Sequence, residues 1–314
     1  MTHNDLIMRP IAGREEIDLF RRLPYVLNGE LADDLDSGHR RPEWMWMALR
    51  GDRLVARLAW WAPREDGPPF MLDVLDLDDA AREPERLDIG LRLLQTAMAT
   101  VLPAGTHPPE YSRFVPSRWR DDGSARRVVE DRVAVLERAG ARPLVERLRL
   151  EWCPGTPVPE PGGRLSFRPA DDREELVELM TLVLAGTLDA HSRADLARMP
   201  AARVAAGQYD GELALYRSPR DWWRIAMTSG GRPAGFVVPA HNGHNPIIAY
   251  IGVLPAHRGN GYVDDLLAEG TRILARQGVP RIRASMDVGN VPMARAFQRA
   301  GYVDFQHEIN MTWS

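Results

Sequence analysis

The stretch PIIAYIGVLPAHRGNGYVDDLLAEGTRILARQG, residues 246–278, joins an apolar strand to an amphipathic helix through a short glycine loop. Its first part, PIIAYIGVL, is an unbroken apolar run, which is typical of a strand that is buried on both faces. After the loop, apolar residues recur at helical spacing, and Gly278 lies just beyond the last of them. Because residues 281–288 (RIRASMDV) then alternate apolar and polar positions, we expect a strand–helix–strand unit with two parallel, neighbouring strands.

Shorter elements are predicted on both sides of this unit. Residues 224–227 and 234–238 flank the pair Gly230-Gly231, a pattern that predicts a β-hairpin. Residues 290–300 have the pattern of a helix, and residues 302–313 that of the closing strands. The C-terminal half is therefore expected to combine helices with a sheet that contains both parallel and antiparallel strands.

The chain also contains an internal repeat. Near its start, residues 9–16 read RPIAGREE, and residues 168–175 read RPADDREE, at an offset of 159 (168 − 9). A second match closes each half, because residues 138–152 and 299–313 both run without a gap from Arg-Ala-Gly to Trp, at an offset of 161 (299 − 138). The two halves therefore open and close in the same way, as expected for a duplicated domain.

The segment between the halves supports this division. Residues 153–163 (CPGTPVPEPGG) are rich in proline and glycine, which cannot sustain a helix or a strand. We therefore predict a first domain at 1–152, a linker at 153–163 and a second domain at 164–314.

Length, composition and charge restrict the class of protein. The 314 residues suffice for about two domains, each with a core of its own. Hydrophobic residues make up 44 % and charged residues 27 % of the chain, a balance typical of soluble globular proteins. The net charge of −4 argues against nucleic acid as the main partner.

The sequence also predicts a cytoplasmic protein without a bound metal. The apolar run at 247–254 is far shorter than the roughly 20 residues that a membrane span needs. The N-terminal residues lack the basic start and apolar core of a secretory signal. A single cysteine, Cys153, can form neither an internal disulfide nor a CxxC-type zinc site.

The glycine loop at 258–261 (RGNG) is the segment best suited to bind an anion. The first turn of a helix has unpaired N–H groups and a partial positive charge, which together suit phosphate oxygens. Gly259 and Gly261 allow the backbone to approach an anion closely, and Arg258 adds a fixed cation. The loop alone fits equally well with a tight strand-to-helix turn in which glycine only provides unusual dihedral angles. It is not a Walker loop, and it lacks the full GxGxxG of a dinucleotide-binding fold.

Residues 247–302 as a whole resemble the GNAT superfamily of N-acetyltransferases. The signature of that family is an apolar strand ending in Val-x-Pro, an Arg/Gln-x-x-Gly-x-Gly/Ala loop, and an Asn before a helix that ends in Gly-Phe or Gly-Tyr. The corresponding residues here are Val253-Leu254-Pro255, Arg258-Gly259-Asn260-Gly261-Tyr262-Val263, Asn290 and Gly301-Tyr302.

This resemblance implies a fold and a cofactor site. The fold is of the α/β (α+β) class, with two tandem GNAT-like domains, each a mixed, mostly antiparallel sheet with a splayed parallel strand pair flanked by helices. The loop would hold the pyrophosphate of acetyl-CoA, while the main chain near Val253 would pair with the pantetheine arm and polarise the thioester carbonyl. The cofactor-binding residues that the resemblance implies are Val253, Leu254, Arg258, Gly259, Asn260, Gly261, Tyr262, Val263 and Asn290.

Two positions depart from the family pattern. The last Gly/Ala of the loop is replaced by Val263, whose branched side chain either crowds a phosphate or packs inward. Many family members carry a tyrosine that protonates the departing CoA thiolate at the position of Phe297, which has no proton to give. Tyr302, Ser285 and Tyr250 are alternative donors, although each also has a structural use in a core or a strand.

The sequence indicates the residues that bind the acceptor less clearly than those that bind the cofactor. The chemistry that the resemblance implies is attack of an amine on the thioester, which requires a proton acceptor and gains much of its rate from positioning. His241 and His244 precede the cofactor strand, and for His244 we favour the interpretation of a solvated loop residue. Asp189, His191 and Tyr250 are the predicted substrate-binding residues, with helix capping as the alternative for Asp189. The catalytic base stays unassigned.

The N-terminal half is predicted to share the fold without the cofactor site. Its matching strand, residues 70–77, is not followed by an Arg-x-x-Gly pair, and Asp76, Asp78 and Asp79 would repel a pyrophosphate. The position that corresponds to Phe297 is Leu136 (297 − 161), which also lacks a proton. We interpret this half as a degenerate copy.

The leading hypothesis is an acetyl-CoA-dependent N-acetyltransferase that acts on a small-molecule amine in its C-terminal half, as a monomer or homodimer. This hypothesis includes neither a nucleic-acid partner nor a membrane partner. The alternative is a non-catalytic acyl-CoA-binding or regulatory module, which Phe297 and Val263 motivate. Aminoacyl transfer from tRNA is weaker, because it would require a basic tract that the sequence lacks. The sequence leaves open the acceptor, the acyl-chain length, the oligomeric state and whether the N-terminal half binds any ligand.

Overall fold

A computed structural model describes residues 6–158, 160 and 162–314. Backbone contacts divide them into two compact units. Unit 1 consists of the described residues up to Glu146 together with His307–Ser314, and unit 2 consists of the described residues of Arg147–Gln306. Every helix within these described ranges is too short or too polar to cross a bilayer.

Unit 1 contains a sheet with helices packed against it. Its strands are β1 (Leu6–Pro10), β2 (Met45–Arg50), β3 (Arg53–Trp61), β4 (Met71–Leu77) and β5 (Glu110–Pro116). Its helices are α1 (Ile17–Phe20), α2 (Leu31–Asp36), α3 (Glu85–Val101) and α4 (Gly123–Arg138). Strands β1 to β4 are antiparallel neighbours in sequence order, while β4 and β5 run parallel.

Unit 2 repeats this arrangement with additional helices. Its strands are the part of β6 (Arg142–Trp152) from Arg147 onwards, β7 (Leu165–Pro169), β8 (Arg224–Thr228), β9 (Pro233–His241), β10 (Pro246–Val253), β11 (Ile282–Asp287) and the start of β12 (Val303–Thr312). Its helices are α5 (Arg173–Val183), α6 (Ala190–Leu196), α7 (Ala201–Gly211), α8 (Tyr262–Ala275) and α9 (Val291–Arg299).

The sheet of unit 2 is mixed and mostly antiparallel. Strands β7, β8, β9 and β10 are antiparallel neighbours in that order, so the predicted hairpin is confirmed as β8–β9. Strands β10 and β11 run parallel but pair only at Ile247 and Arg283. Strand β11 then pairs antiparallel with β6, from Ile282 opposite Trp152 to Asp287 opposite Arg147. The predicted fold class, with a splayed parallel pair in the sheet, is confirmed.

Helices pack tightly on both faces of β10 and its neighbour, which explains the unbroken apolar run in β10. On one face, a Cβ on Gly270 of α8 would lie 2.8 Å from the side chain of Val237 in β9. On the other face, a Cβ on Gly252 of β10 would lie 3.0 Å from Val183 at the end of α5. Both contacts are closer than ordinary van der Waals packing, so glycine sets how near these helices come to the sheet.

The same ion pair opens both repeats. In unit 1, Arg9 at the end of β1 binds Glu16 with an N–O distance of 2.6 Å. In unit 2, Arg168 at the corresponding position of β7 donates two hydrogen bonds to Glu175, one of them 3.0 Å long. Both pairs span seven residues and join a strand to the helical segment that follows it. The repeat in the sequence therefore corresponds to a repeated local structure.

The compact units do not coincide with the sequence boundaries at 1–152 and 164–314. Beyond Glu146, β6 belongs to unit 2, and beyond Gln306, β12 belongs to unit 1. In unit 1, the Ser112 hydroxyl donates to Glu308 at 2.7 Å, and the Trp313 indole donates to the Ala139 carbonyl at 3.0 Å. The closing strand of each repeat therefore ends in the other unit, and this follows from strand pairing that no local sequence pattern specifies. The described residues of 153–163 form neither helix nor strand.

Candidate functional site

The glycine loop connects β10 to α8 through two residues in the left-handed region. A short 3-10 turn, Pro255–His257, follows the strand, and α8 begins at Tyr262. Between them, Gly259 has φ +80° and Gly261 has φ +72°. Glycine adopts this conformation without the steric cost that a side chain imposes. No heavy atom lies within 4 Å of the position that a Cβ on Gly259 would occupy, so the loop is open at this point.

The loop presents backbone donors that the protein itself does not use. In the part of the chain that the structure describes, the N–H groups of Gly259, Asn260 and Gly261 donate to no protein acceptor. The first turn of α8 adds N–H groups that have no partner within the helix. These donors and the positive end of the helix dipole make the loop a site for an anion such as a phosphate.

Arg258 fixes the loop to the end of α5. Its guanidinium donates to the carbonyl oxygens of Val183 at 2.8 Å, Ala185 at 2.7 Å and Val253 at 3.2 Å. Carbonyl groups at the C-terminal end of a helix lack partners within the helix, and a cation there is also favoured by the helix dipole. These contacts assign Arg258 to holding the loop, whereas its role as a direct phosphate ligand stays a prediction.

Arg164, which the sequence analysis missed, supplies a second cation at the loop. It donates to the carbonyl oxygen of Asn260 at 2.7 Å and to that of Gly261 at 3.3 Å. Its guanidinium also binds the Asp265 carboxylate at 2.5 Å, and the other oxygen of that carboxylate accepts from the N–H of Gly162 at 3.2 Å. Arg164 lies 96 residues before Asn260, beside the linker, so spacing along the chain gave no signal for it.

Two carboxylates in the first turn of α8 are neutralised by arginines. Asp265 pairs with Arg164, and Asp264 pairs with Arg299 of α9 at 2.6 Å. Acidic residues stabilise the N-terminal end of a helix, but unpaired they would repel a phosphate at the same place. The two arginines therefore preserve the helix start while reducing the negative charge beside the loop.

The remaining predicted cofactor residues lie around the loop or in structural positions. Leu254 follows β10, and its N–H donates to the carbonyl of Ala234 at 2.9 Å. Tyr262 and Val263 begin α8 and are half-buried. Asn290 caps α9, because its side chain accepts from the N–H of Met293 at 3.4 Å. Their roles in binding a cofactor stay predictions.

A cavity of about 240 Å³ lies beside β10 and β11 in unit 2. A β-bulge at Ala249 shifts the register of β10 against β9. The polar residues that line the cavity include Arg147, Arg149, Arg283, Glu212, Tyr216 and Ser285. A larger depression of about 710 Å³ lies in unit 1 at the β2–β3 turn and contains none of the predicted site residues.

Asp287, at the end of β11, is a buried carboxylate that the sequence analysis also missed. Its side chain is 3 % exposed, and one oxygen accepts from the N–H of Ala190 at 2.6 Å. The other oxygen lies 3.5 Å from Nε of Arg147 without a hydrogen bond of normal geometry. Burial is the main cause that raises the pKa of Asp287, and the nearby Asp189 adds to the effect, whereas the Ala190 N–H, Arg147 and His191 oppose it.

The structure brings Asp189 and His191 towards this carboxylate, and Tyr250 towards Asp189. Asp189 caps α6 by accepting from the N–H of Ser192 at 2.7 Å, which confirms the capping geometry. His191 lies two residues further along α6, within electrostatic range of Asp287. Tyr250 is half-buried on β10, and burial, with smaller contributions from Asp189 and Glu212, raises its pKa. By contrast, His241 at the end of β9 and His244 in the loop that follows are both exposed.

The position that lacks the expected tyrosine is part of the core. Phe297 is 2 % exposed and packs edge-on against Tyr302, with ring centroids 4.9 Å apart. The Tyr302 hydroxyl shares a buried hydrogen bond of 2.8 Å with Thr271, and burial raises its pKa. Tyr302 is therefore enclosed and occupied, while Ser285 lies exposed on the wall of the cavity.

In unit 1, a buried ion cluster lies between the two parallel strands. Strands β4 and β5 pair only at Met71–Glu110 and Leu72–Tyr111. Beyond these pairs, Asp76 of β4 is 1 % exposed and is surrounded by three arginines, with N–O distances of 2.8 Å to Arg57, 3.0 Å to Arg113 and 3.9 Å to Arg132. The cluster joins β4 to β5. At the corresponding place in unit 2, the parallel strands β10 and β11 separate.

The predicted repulsion of a pyrophosphate in unit 1 requires a correction. All three aspartates that the prediction named have arginine partners, since Asp78 binds Arg53 and Asp79 binds Arg132 in addition to the cluster around Asp76. Unpaired negative charge therefore does not distinguish unit 1. Unit 1 differs from unit 2 in its buried ion cluster and in the segment after β4, which contains no counterpart of the glycine loop.

Among the residues that the structure describes, no group of three or more His, Cys, Asp or Glu side chains is arranged to hold a metal ion. The site that the structure does present consists of backbone donors, arginines and one buried carboxylate. Such a set is suited to binding an anion and to accepting a proton.

Comparison with known proteins identifies unit 2. Residues 194–302 match the model of the Acetyltransferase (GNAT) family. They run from α6 to the end of α9 and include β10, the glycine loop and Asp287. This part of the chain is therefore similar in sequence to a GNAT acetyltransferase domain. The match supports acyl transfer as the general activity.

Solved structures extend the GNAT fold to the whole chain. A GCN5-related N-acetyltransferase from Sphaerobacter thermophilus has a TM-score of 0.60 at 16 % identity, over 99 % of this chain and 96 % of that one. A tandem GNAT protein from the clavulanic acid biosynthesis pathway has a TM-score of 0.53 at 16 % identity, over 98 % of both chains. No curated protein matches the sequence. The predicted tandem GNAT architecture is confirmed.

Proposed function

We propose that unit 2 is an acetyl-CoA-dependent N-acetyltransferase that transfers the acetyl group to the amine of a small molecule. The observation that carries this proposal is the loop at Gly259–Gly261, whose unused N–H groups lie at the start of α8, directly after β10. The proposal includes an active site in the C-terminal half only, a cytoplasmic monomer or homodimer, and no nucleic-acid or membrane partner.

The residues around the loop fit the phosphate groups of acetyl-CoA. The amides of Gly259, Asn260 and Gly261 would bind the pyrophosphate, with Arg164 as the nearby cation. The edge of β10 beyond Ile247, where pairing to β11 ends, would receive the pantetheine arm. Acetyl-CoA itself supplies an acetyl group that is activated as a thioester.

The chain supplies positioning and proton transfer for the reaction. The amine nitrogen forms a bond to the acetyl carbon, the bond from that carbon to the CoA sulfur breaks, and the nitrogen loses a proton. Asp287 is the group best placed to accept this proton, because it is buried, has a raised pKa and keeps one oxygen without a hydrogen bond. The thiolate takes its proton from water or from Ser285, since Phe297 has none to give.

The alternative is a module that binds acyl-CoA without turnover, and Phe297 favours it. The Phe297 side chain is packed against Tyr302. No mobile side chain of the same helix can therefore take this position and donate a proton to the thiolate. The two functions differ in one respect that is simple to measure. Both bind acetyl-CoA, but only the enzyme releases free CoA when a panel of amines is added.

The decisive experiment is acetyl-CoA binding by calorimetry to the wild type, to Gly259→Asp and to Gly259→Asn. Both side chains enter open space and carry the same backbone cost at φ +80°, but only the aspartate brings a negative charge to the loop. We expect micromolar binding by the wild type, weaker but measurable binding by G259N, and loss of binding in G259D. A folded wild type that does not bind acetyl-CoA would overturn the proposal.

A further inference from the structure

The cavity of unit 2 has a charge pattern that bears on the acceptor. We propose that the acceptor amine also carries an oxyanion, a carboxylate or a phosphate, which is bound by Arg283 while the amine points to Asp287. This inference rests on the proposed function of unit 2, because it assigns the substrate class of the same site.

The arginines form one face of the antiparallel pair β6–β11. The cross-strand neighbours on this face are Glu151 opposite Arg283, Arg149 opposite Ser285, and Arg147 opposite Asp287. Since side chains alternate along a strand, these six residues lie on the same side of the sheet. The residues between them, including Leu150 and Met286, pack into the hydrophobic core of unit 2 on the other side.

Phe305 holds two of these arginines next to each other. The guanidinium of Arg283 lies 4.4 Å from the ring centroid of Phe305, and that of Arg149 lies 5.3 Å from it. Stacking on an aromatic ring stabilises a guanidinium without neutralising it. Arg149 also donates a hydrogen bond to Oε1 of Gln306. Arg283 is therefore the cation that this neutral ring positions for an anion.

The cavity wall carries more positive than negative charge. It contains three arginines but only one carboxylate, Glu212, which accepts from the Tyr216 hydroxyl at 2.6 Å. Beside the wall, Glu151 is shared between Arg283 at 3.0 Å and Arg281 at 3.6 Å, so one carboxylate serves two guanidinium groups. Arg283 uses Nε for this contact, and in the described part of the chain its terminal nitrogens have no acceptor. A planar guanidinium with free terminal donors suits carboxylate and phosphate oxygens.

The geometry also limits the size of the acceptor. Arg283 and Asp287 are four positions apart on β11, a distance of roughly 13 Å along the strand. The cavity volume of about 240 Å³ is smaller than the roughly 300–1,000 Å³ of sites for drug-sized ligands. A slim, extended acceptor with the amine at one end and the oxyanion at the other fits both limits.

The test compares four amines of equal chain length: an ω-amino carboxylate, its primary amide, an aminoalkyl phosphate and the corresponding amino alcohol. Turnover is followed by release of free CoA, and binding of each amine alone by calorimetry. We expect one of the two anionic amines to exceed its neutral counterpart at least tenfold in kcat/KM and in affinity. Whichever anionic amine shows this preference identifies the oxyanion of the acceptor as a carboxylate or a phosphate.

The variant Arg283→Met keeps the apolar stem but removes the charge. We expect it to raise KM for the anionic amine at least tenfold, with kcat within about threefold and acetyl-CoA affinity unchanged. Arg281→Met is the matched control, since Arg281 shares Glu151 but does not line the cavity, and it should behave as the wild type.

The outcomes separate this inference from the proposed function. Acetyl-CoA binding and turnover with equal preference for neutral and anionic amines would overturn the inference and leave the acetyltransferase proposal intact. Selective binding of anionic amines that R283M abolishes, in a protein that does not bind acetyl-CoA, would support the anion site and overturn the proposed function. Equal loss in R283M and R281M would show a structural effect and would also overturn the inference.

Discussion

The guanidinium of Arg258 donates to the carbonyl oxygen of Ala185 over a distance of 2.7 Å. This contact joins the glycine loop to the segment just after α5, and further hydrogen bonds of the same side chain reach Val183 and Val253. The loop is thus fixed from two sides, because Arg164 holds its other end through the carbonyls of Asn260 and Gly261. A loop whose amides are to bind an anion gains affinity from such preorganisation.

Replacing Arg258 should therefore weaken cofactor binding, because the loop loses its attachment to α5. We expect Arg258→Ala to lower acetyl-CoA affinity about tenfold, and to reduce the free energy of unfolding by about 1 kcal/mol through the lost hydrogen bonds. Arg258→Lys should restore little, since an ammonium group cannot reach three carbonyls in the plane of a guanidinium. Calorimetry and urea unfolding measure the two effects.

The matched control for this prediction is Arg276→Ala, which removes an exposed arginine just after the end of α8. It should leave both quantities unchanged. If acetyl-CoA affinity is the same in R258A and in the wild type, the loop does not depend on its attachment to α5.

The Asp76 cluster makes a prediction about unit 1. Burial by itself would raise the pKa of Asp76, but Arg113, Arg57 and Arg132 outweigh burial and lower it. Asp76→Asn would leave buried arginines without their shared counter-charge, and we expect it to cost about 3–5 kcal/mol of the free energy of unfolding. Chemical denaturation measures the change. Asp36→Asn, at the exposed ion pair with Arg14, is the control and should have little effect.

The sign of the pH dependence follows from the lowered pKa. The folded protein binds fewer protons at Asp76 than the unfolded chain does, so this contribution to stability is present above the ordinary carboxyl pKa. It is lost as the pH falls through that value towards the lower pKa of the folded state. The slope of stability against pH in this range should be smaller in D76N, and an identical slope would contradict the prediction.

Much of the fold was accessible from the sequence because its signals are local. The apolar run of β10, the glycines before α8 and the repeated RP…REE segments each depend on neighbouring residues, and each predicted the element that forms. The division into compact units was not accessible in this way. It depends on which strand the ends of β6 and β12 pair with, and a strand of either repeat presents the same alternation to any partner.

The residues of the candidate site can be divided in the same way, into those with a local sequence signal and those without one. Gly259 and Gly261 were found because a left-handed turn before a helix requires glycine at fixed positions. Arg164 and Asp287 were missed because their importance arises from contacts across about 100 residues of sequence, with Asn260 and Ala190 respectively. Arg149 and Arg283 also had no recognisable sequence signal, since an arginine on a strand resembles any other surface arginine until the register of β6 and β11 is known.

Asp287 provides the sharpest test of the chemistry. Its pKa is raised mainly by burial, and only the ionised carboxylate can accept a proton from the amine. We therefore expect kcat/KM to rise with pH through the raised pKa of Asp287 and then to level off. Asp287→Asn should lower kcat about 100-fold and remove this rise, while its amide oxygen still accepts the hydrogen bond from Ala190.

A stability measurement separates loss of the proton acceptor from damage to the fold. Between the ordinary carboxyl pKa and the raised value, the folded protein binds more protons at Asp287 than the unfolded chain does, so the free energy of unfolding falls as the pH rises. D287N should lack this fall and should be at least as stable as the wild type at neutral pH. Asp195→Asn, at an exposed position of α6, is the control and should retain the wild-type pH profile. A D287N enzyme with wild-type kcat and an unchanged rise would exclude Asp287 as the proton acceptor.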